Sequence, residues 1–134
     1  MDYPKRQLMP FLSFNGNAEE AMNYYVKVFG AKIEMLNYFK EGQGGDVGTV
    51  MNGIVDFDGC KLLFLDMSKQ YPAPDFSWAT SLMLTYEDEA AFDAAYAAIS
   101  ADGNVMMGPA AVGNIRKCCW VVDKYNVTWQ LVWE

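Results

Sequence analysis

The chain has 134 residues, 52% of them hydrophobic and 20% charged, and a formal net charge of −7. This length fits one ordinary domain, and the composition predicts a packed core rather than a disordered chain. The acidic balance excludes nucleic acid as an expected partner, because phosphate binding requires clustered Lys and Arg. No apolar run approaches the roughly 18 residues that span a bilayer, and residues 1–6 lack the apolar stretch of a signal peptide. We therefore expect no membrane association and a cytoplasmic location.

The sequence contains no histidine. It thereby lacks the commonest general base near neutral pH and the commonest transition-metal ligand. Ser-His-Asp systems, histidine-containing zinc sites and two-histidine iron sites are excluded. Cys60, Cys118 and Cys119 include no CxxC pair, and neighbouring residues on a strand point to opposite faces. We predict reduced, mostly buried thiols, no transition-metal site and no cofactor.

The first half of the chain predicts a strand, a helix and three further strands. Residues 8–14 form the first strand, with Pro10 at an edge or bulge. A helix begins at the N-cap Asn17, with Glu20 completing a capping box, and ends at Gly30. Strands follow over residues 31–39, 50–57 and 61–66. Residues 40–49 contain four glycines and predict a mobile loop, and Asp58-Gly59 predicts a tight hairpin turn.

The second half repeats this order after a polar connector over residues 69–77. The predicted elements are a strand over residues 78–86, a helix from Asp88 to Gly103, a short strand over 104–107, a loop over 108–115, and strands over 116–123 and 127–133. The order indicates an internal repeat of two βαβββ modules, about 8–67 and about 78–134, within a single domain 1–134. We predict an α+β fold in which two curved mixed sheets enclose a cavity and the helices lie outside.

Three segments carry a resemblance to a known family. LSFNGNAEEA at residues 12–21, Tyr25 followed by VFGA at 28–31, and VDKYNVTWQL at 122–131 resemble, in order, the anchors of PhnB-like proteins. These proteins form a branch of the vicinal-oxygen-chelate superfamily of glyoxalases, bleomycin-resistance proteins and extradiol dioxygenases. Many of them bear the label 3-demethylubiquinone 3-methyltransferase. The resemblance implies a homodimer and a ligand cavity in the curved sheet.

The sequence departs from the family pattern at several positions. Many relatives carry His where this chain has Asn52, Gly where it has Asn126, and an aromatic residue near Val112. An amide oxygen is a poor ligand for a soft divalent ion. The methyltransferase label gains no support, because no strand is followed by a glycine-rich cofactor loop and an acidic partner.

Five residues are candidates for ligand binding: Asn52, Arg116, Cys118, Trp120 and Trp129. Asn52, which aligns with the family's His, either orients a ligand or only makes a structural hydrogen bond. Arg116 suits a carboxylate or phosphate ligand, or else forms a salt bridge at the rim. Cys118 and Trp120 share its strand face, and the tryptophans form either aromatic walls for a planar ligand or ordinary core.

Three functions stay open from the sequence. The first is metal-free binding of a small apolar or anionic molecule. The second is a metal-dependent lyase, isomerase or dioxygenase that uses carboxylate ligands, with Asp56 as the best single candidate because it shares a strand face with Asn52. The third is a structural homodimer with a vestigial site.

Overall fold

The computed structural model describes residues 7–134, which divide between Ala73 and Pro74 into two compact units. The first unit contains β1 (Phe11–Phe14), α1 (Ala18–Phe29), β2 (Lys32–Tyr38), β3 (Val50–Phe57) and β4 (Cys60–Asp66). The second contains β5 (Ser81–Tyr86), α2 (Glu89–Asp102), β6 (Asn104–Val112), β7 (Ile115–Val122) and β8 (Thr128–Trp133).

Each unit is one mixed four-stranded sheet with one helix. The strand orders are β1-β4-β3-β2 and β5-β8-β7-β6, so the two units have the same topology. The first strand of each unit pairs in parallel with the last, and the remaining pairs are antiparallel. The predicted α+β class with two βαβββ modules is confirmed. The single domain and its enclosed cavity concern the placement of the two units and stay a prediction.

Helix α1 covers one face of the first sheet with an aromatic cluster. Tyr25 is fully buried, and its ring lies 6.1 Å from those of Phe29 and Phe64. The Phe64 ring in turn stacks on Phe14 of β1 at 5.6 Å. These side chains come from α1, β1 and β4, so the apolar stripe of the helix joins the outer strand to the middle of the sheet.

Gly53 allows the helix to approach β3 closely. A Cβ atom at this position would lie 2.7 Å from the Sδ and Cε atoms of Met22, a fully buried residue of α1. A larger residue would therefore require the flexible end of the Met22 side chain to shift.

The start of α1 is stabilised differently from the prediction. Asn17 precedes the helix as expected, but its side chain makes no cap hydrogen bond. The helix start is capped instead by the carboxylate of Asp66, which lies at the end of β4 and is 2% exposed. Its Oδ1 accepts hydrogen bonds from the backbone N–H groups of Gly16 at 2.8 Å and Ala18 at 3.0 Å, and its Oδ2 accepts one from Val50 N–H at 2.9 Å. One side chain thus holds three chain segments together.

The second unit has its own buried carboxylate. Asp123, 3% exposed, follows β7 and accepts hydrogen bonds from the N–H groups of Tyr125 at 2.8 Å and Val127 at 3.0 Å. Its Oδ2 also accepts a hydrogen bond from the Trp129 indole Nε1 at 2.9 Å. Asn126 completes this turn with φ 70°, a left-handed conformation that Asn adopts at lower cost than most residues.

Several predicted boundaries agree with the structure, whereas the strands predicted to begin at residues 8 and 78 begin at Phe11 and Ser81. Gly30 ends α1 with φ 70°, and Asp58-Gly59 forms the β3–β4 turn with φ 54° and 100°. The loop predicted over residues 108–115 is wrong, because β6 continues to Val112 and pairs with β7 through register shifts. Since β6 is an edge strand, Pro109 can occupy it without breaking a hydrogen bond to a neighbour on its outer side.

Among residues 7–134, no helix is long and apolar enough to cross a membrane.

Burial in the second unit raises the pKa of two ionisable groups. Desolvation, with a contribution from the nearby Cys119, raises the pKa of Tyr86 to about 12. Desolvation also raises the pKa of Cys119 to about 11, against the opposing effect of a backbone hydrogen bond with Leu131. The Cys119 thiol is therefore neutral near pH 7, which does not suit a nucleophile.

Replacing Asp66 with Ala should destabilise the protein strongly. The substitution leaves three N–H groups at a buried junction without an acceptor, and each such loss costs about 1–3 kcal/mol. We expect the free energy of unfolding, measured by urea denaturation, to fall by at least about 3 kcal/mol. Asp75→Ala, at an exposed connector position, is the matched control and should change it by about 0.5 kcal/mol or less. Equal effects of the two substitutions would refute the role given to Asp66.

Stability should decline at high pH because of Tyr86 and Cys119. Both groups have a pKa that is higher in the folded than in the unfolded chain, so the folded state holds their protons more tightly. The contribution of these two groups to the free energy of unfolding is complete below pH 9 and is lost as the pH rises toward 12. The urea midpoint measured from pH 8 to pH 11.5 should fall less steeply for Tyr86→Phe than for the native chain (about one proton less released on unfolding). Tyr71→Phe, at a position 67% exposed, is the control, and identical profiles for all three proteins would contradict this assignment.

Candidate ligand-binding site

Strand alternation gives each sheet a helix-covered face and an open face. On β7, Lys117 lies toward α2, where its Nζ contacts Glu89 at 2.8 Å and Asp93 at 2.9 Å. Alternate residues of a strand point to opposite sides, so Cys118 and Trp120 lie on the other side. We call this side the open face of the second sheet.

One row of side chains crosses all four strands of this open face. Trp120 on β7 lies opposite Gln130 on β8 and Met107 on β6, and Gln130 lies opposite Met83 on β5. Met83 is 61% exposed and Met107 36%, while Trp120 and Gln130 are half-buried. An indole with thioethers and one amide in the same row forms an apolar surface with a single polar group near its centre.

The polar group is a hydrogen-bonded pair. Gln130 Nε2 donates to Ser81 Oγ at 2.7 Å, which leaves the amide oxygen of Gln130 as an acceptor and the Ser81 hydroxyl as a donor. Thr128 lies opposite Ser81 and is 1% exposed, and its hydroxyl has no hydrogen-bond partner within residues 7–134. The open face thus combines apolar area with a few polar groups that can still form hydrogen bonds, as small-molecule sites do.

Two of the five predicted site residues, Cys118 and Trp120, come together on this face. Cys118 is 7% exposed and lies opposite Val132, next to the row that contains Trp120. Sequence reasoning missed Ser81, Met83, Met107 and Gln130. Strand alternation predicts that Gln130 and Trp129 point to opposite faces. It does not predict which strands pair with β8 or in which register.

Arg116 is exposed and is engaged elsewhere. Its guanidinium carbon lies 3.9 Å from the centroid of the Trp133 ring. Its Nε donates to the main-chain oxygen of Glu134 at 2.7 Å, and Nη2 donates to the same oxygen. Arg116 thus stacks at the end of the sheet, more than one residue row from Trp120.

Trp129, the last of the five predicted ligand-binding residues, lies away from the open face. It is 1% exposed and lies opposite Val121, on the helix-covered face. Its indole N–H is bound to Asp123. Trp120 and Trp129 are nine residues apart and lie on different strands, so alternation along one strand does not relate their faces. The antiparallel register shows that the two tryptophans occupy opposite faces.

Asn52 lies in the first unit, on the face of the sheet away from α1. It pairs across the strands with Asn37, whose Nδ2 donates to Asn52 Oδ1 at 2.8 Å. Met35 and Ile54 form the neighbouring pair on the same face. The oxygen that would replace the family's histidine as a ligand atom is therefore already an acceptor.

The residues of the first unit do not fit a divalent-metal centre. Asp56, the best carboxylate candidate, accepts a hydrogen bond from Gly59 N–H at 2.7 Å and lies opposite Lys32 and Lys61. The pKa of Lys61 is raised by its hydrogen bond to Glu34, and the charge of Asp56 adds to this shift. Within residues 7–134, no group of three or more Cys, Asp or Glu side chains could hold a metal ion.

Comparison with known proteins places this geometry in a family. The family model described as 3-demethylubiquinone-9 3-methyltransferase matches residues 6–132. A solved structure described as a putative 3-demethylubiquinone-9 3-methyltransferase, PhnB protein, from Bacillus cereus is 30% identical and covers 96% of this chain and 100% of that one, with a TM-score of 0.81. No curated protein matches the chain.

More distant structures share the fold. Protein PA1353 from Pseudomonas aeruginosa is 22% identical, covers 97% of this chain and 98% of its own, and has a TM-score of 0.86. TnmS3, an antibiotic-binding protein from Streptomyces sp. CB03234, is 17% identical, covers 98% of each chain, and has a TM-score of 0.61.

The family match spans nearly the whole chain, and the two βαβββ modules agree with it. The chain therefore belongs to the PhnB-like family, described as 3-demethylubiquinone-9 3-methyltransferase, and has its vicinal-oxygen-chelate-like fold.

Proposed function

We propose that this protein binds a small apolar or anionic molecule against the open face of its second sheet, without a transition metal. The observation that carries the proposal is the row of Met83, Gln130, Trp120 and Met107, in which two exposed thioethers flank a half-buried indole and amide. Covering apolar area of this kind stabilises a complex by about 25 cal/mol per Å² before the cost of association is subtracted.

The geometry favours an apolar ligand over an anionic one. Arg116 is the cation that was expected to bind an anion, but its guanidinium stacks on Trp133 and donates twice to Glu134. Trp120, in contrast, has thioether and amide neighbours and can stack on a planar molecule. The Gln130–Ser81 pair would orient one polar substituent of that molecule.

The absence of histidine from the sequence and the engagement of Asn52 with Asn37 support metal-free binding. The family description gives no reason to propose methyl transfer, because β1 is followed by Asn15-Gly16-Asn17 and not by a glycine-rich cofactor loop with an acidic partner. TnmS3 shares only the fold at 17% identity, but its description as an antibiotic-binding protein shows that this fold can hold a small molecule.

Trp120→Ala should weaken the binding of an anilinonaphthalene sulfonate dye, an apolar and anionic probe, by about tenfold as measured by fluorescence titration. Trp78→Ala, at a position 65% exposed outside the sheets, is the matched control and should bind like the native chain. Because Trp120 is half-buried, Met83→Glu is a second variant that adds a charge at a position 61% exposed and should also weaken binding. Native affinity in both variants would refute the site.

Two further arms of the same titration separate the alternatives. Arg116→Gln should leave the affinity unchanged, whereas a loss of about tenfold would show that this cation binds the sulfonate. A chelator should also leave the dye affinity of the native chain unchanged. Loss of binding that Mg²⁺ or Mn²⁺ restores would instead support the alternative function, a metal-dependent enzyme of the same superfamily.

The proposed macromolecular partner is a second copy of the chain, in the cytoplasm, and this rests on the family resemblance. Light scattering coupled to size exclusion should give twice the mass of 15.1 kDa. A monomer at all concentrations would contradict the homodimer. A dimer that binds no dye would favour a structural homodimer with a vestigial site.

A further inference from the structure

A cleft in the first unit is lined by residues that lie outside its strands, and it shares none of them with the open face of the second sheet. Its volume is about 530 Å³, within the range of small-molecule sites. Three loops form it: the turn between β1 and α1, the end of the glycine-containing loop before β3, and the segment that follows β4. We call it the loop cleft.

Hydrogen bonds between side chains and backbone connect the loops of the cleft to one another. Asp46 Oδ2 accepts from Lys69 N–H at 3.0 Å, and the Asp46 main-chain oxygen accepts from the Thr49 hydroxyl at 2.7 Å. Asn15 binds both the N–H and the oxygen of Ala73, at 2.8 Å and 3.0 Å. The walls are thus fixed by contacts within the protein, which lowers the cost of ordering them around a ligand.

The loop cleft carries one charge of each sign. Asp46 and Lys69 both line it, and neither side chain forms an ion pair among the residues that the structure describes. Asp46 uses Oδ2 for the Lys69 N–H, and its Oδ1 stays available as an acceptor. The N-terminus of α1 does not compete for an anion there, because Asp66 already accepts hydrogen bonds from Gly16 and Ala18.

Apolar side chains complete the lining. Val47, Met67 and Pro72 border the same cleft. A matching ligand therefore carries an ammonium, a carboxylate and a short apolar group. We propose that the loop cleft binds a free α-amino acid with an aliphatic side chain, whose carboxylate contacts Lys69 and whose ammonium contacts Asp46.

The experiment is a titration of the ¹⁵N-labelled native chain with L-leucine, followed by NMR. Since both charges are close to solvent, we expect a dissociation constant of about 1 mM, with shifts concentrated at the loops that line the cleft. Isopentylamine lacks the carboxylate and 4-methylpentanoate lacks the ammonium, and each should bind at least about tenfold more weakly. Higher salt should weaken leucine binding, because it screens both contacts.

Two variants that each remove one charge test the residues. Asp46→Asn keeps an oxygen for the Lys69 N–H and removes only the charge, and Lys69→Gln removes the opposite charge. Each should weaken leucine binding by about tenfold. Asp58→Asn and Lys27→Gln, exposed positions outside the cleft, are the matched controls and should bind like the native chain.

Three results would overturn the proposal. They are no shifts at about 20 mM leucine, shifts located outside the loop cleft, and equal binding of leucine and either analogue. Native affinity in both charge-removing variants would do the same. None of these results depends on Trp120, so the loop cleft and the proposed sheet-face site can fail independently.

Discussion

The buried carboxylate of Asp66 is the contact on which the first unit depends. It lies at the end of β4 and accepts hydrogen bonds from the β1–α1 turn and from the start of β3, so it links two segments distant in sequence to a third. An uncompensated buried charge is costly, and here three N–H donors compensate it. In the second unit, the Asp123 carboxylate accepts hydrogen bonds from the β7–β8 turn and from the Trp129 indole.

These two contacts also determine which side chains are available for function. Asp66 fixes the entry of α1, and the Tyr25–Phe64 cluster then places this helix on one face of the first sheet. Asp123 holds Trp129 on the helix-covered face of the second sheet. Because neighbouring residues on a strand alternate, Gln130 and Trp120 must then lie on the open face.

The side chains of the first sheet, and those of the open face of the second, differ from what a metal-dependent member of the superfamily would need. Asn52, which by resemblance aligns with the family's histidine, accepts a hydrogen bond from Asn37, and Asp56 Oδ1 accepts one from Gly59 N–H in the hairpin turn. Exposed thioethers, an indole and an amide suit binding and orientation better than acid–base catalysis. Cys119, whose pKa is raised by burial, adds no nucleophile.

The sequence predicts the class of the fold, the repeat of two βαβββ modules and most turns, because apolar periodicity, Gly30 and Asp58-Gly59 act locally. It also excluded histidine chemistry outright. Only the tertiary structure showed that Asp66 rather than Asn17 caps α1, that β6 continues past Pro109, and that Trp129 and Trp120 face opposite ways. The physical reason is that capping at a distance, strand register and partner choice depend on contacts between residues far apart in the chain, which no local pattern encodes.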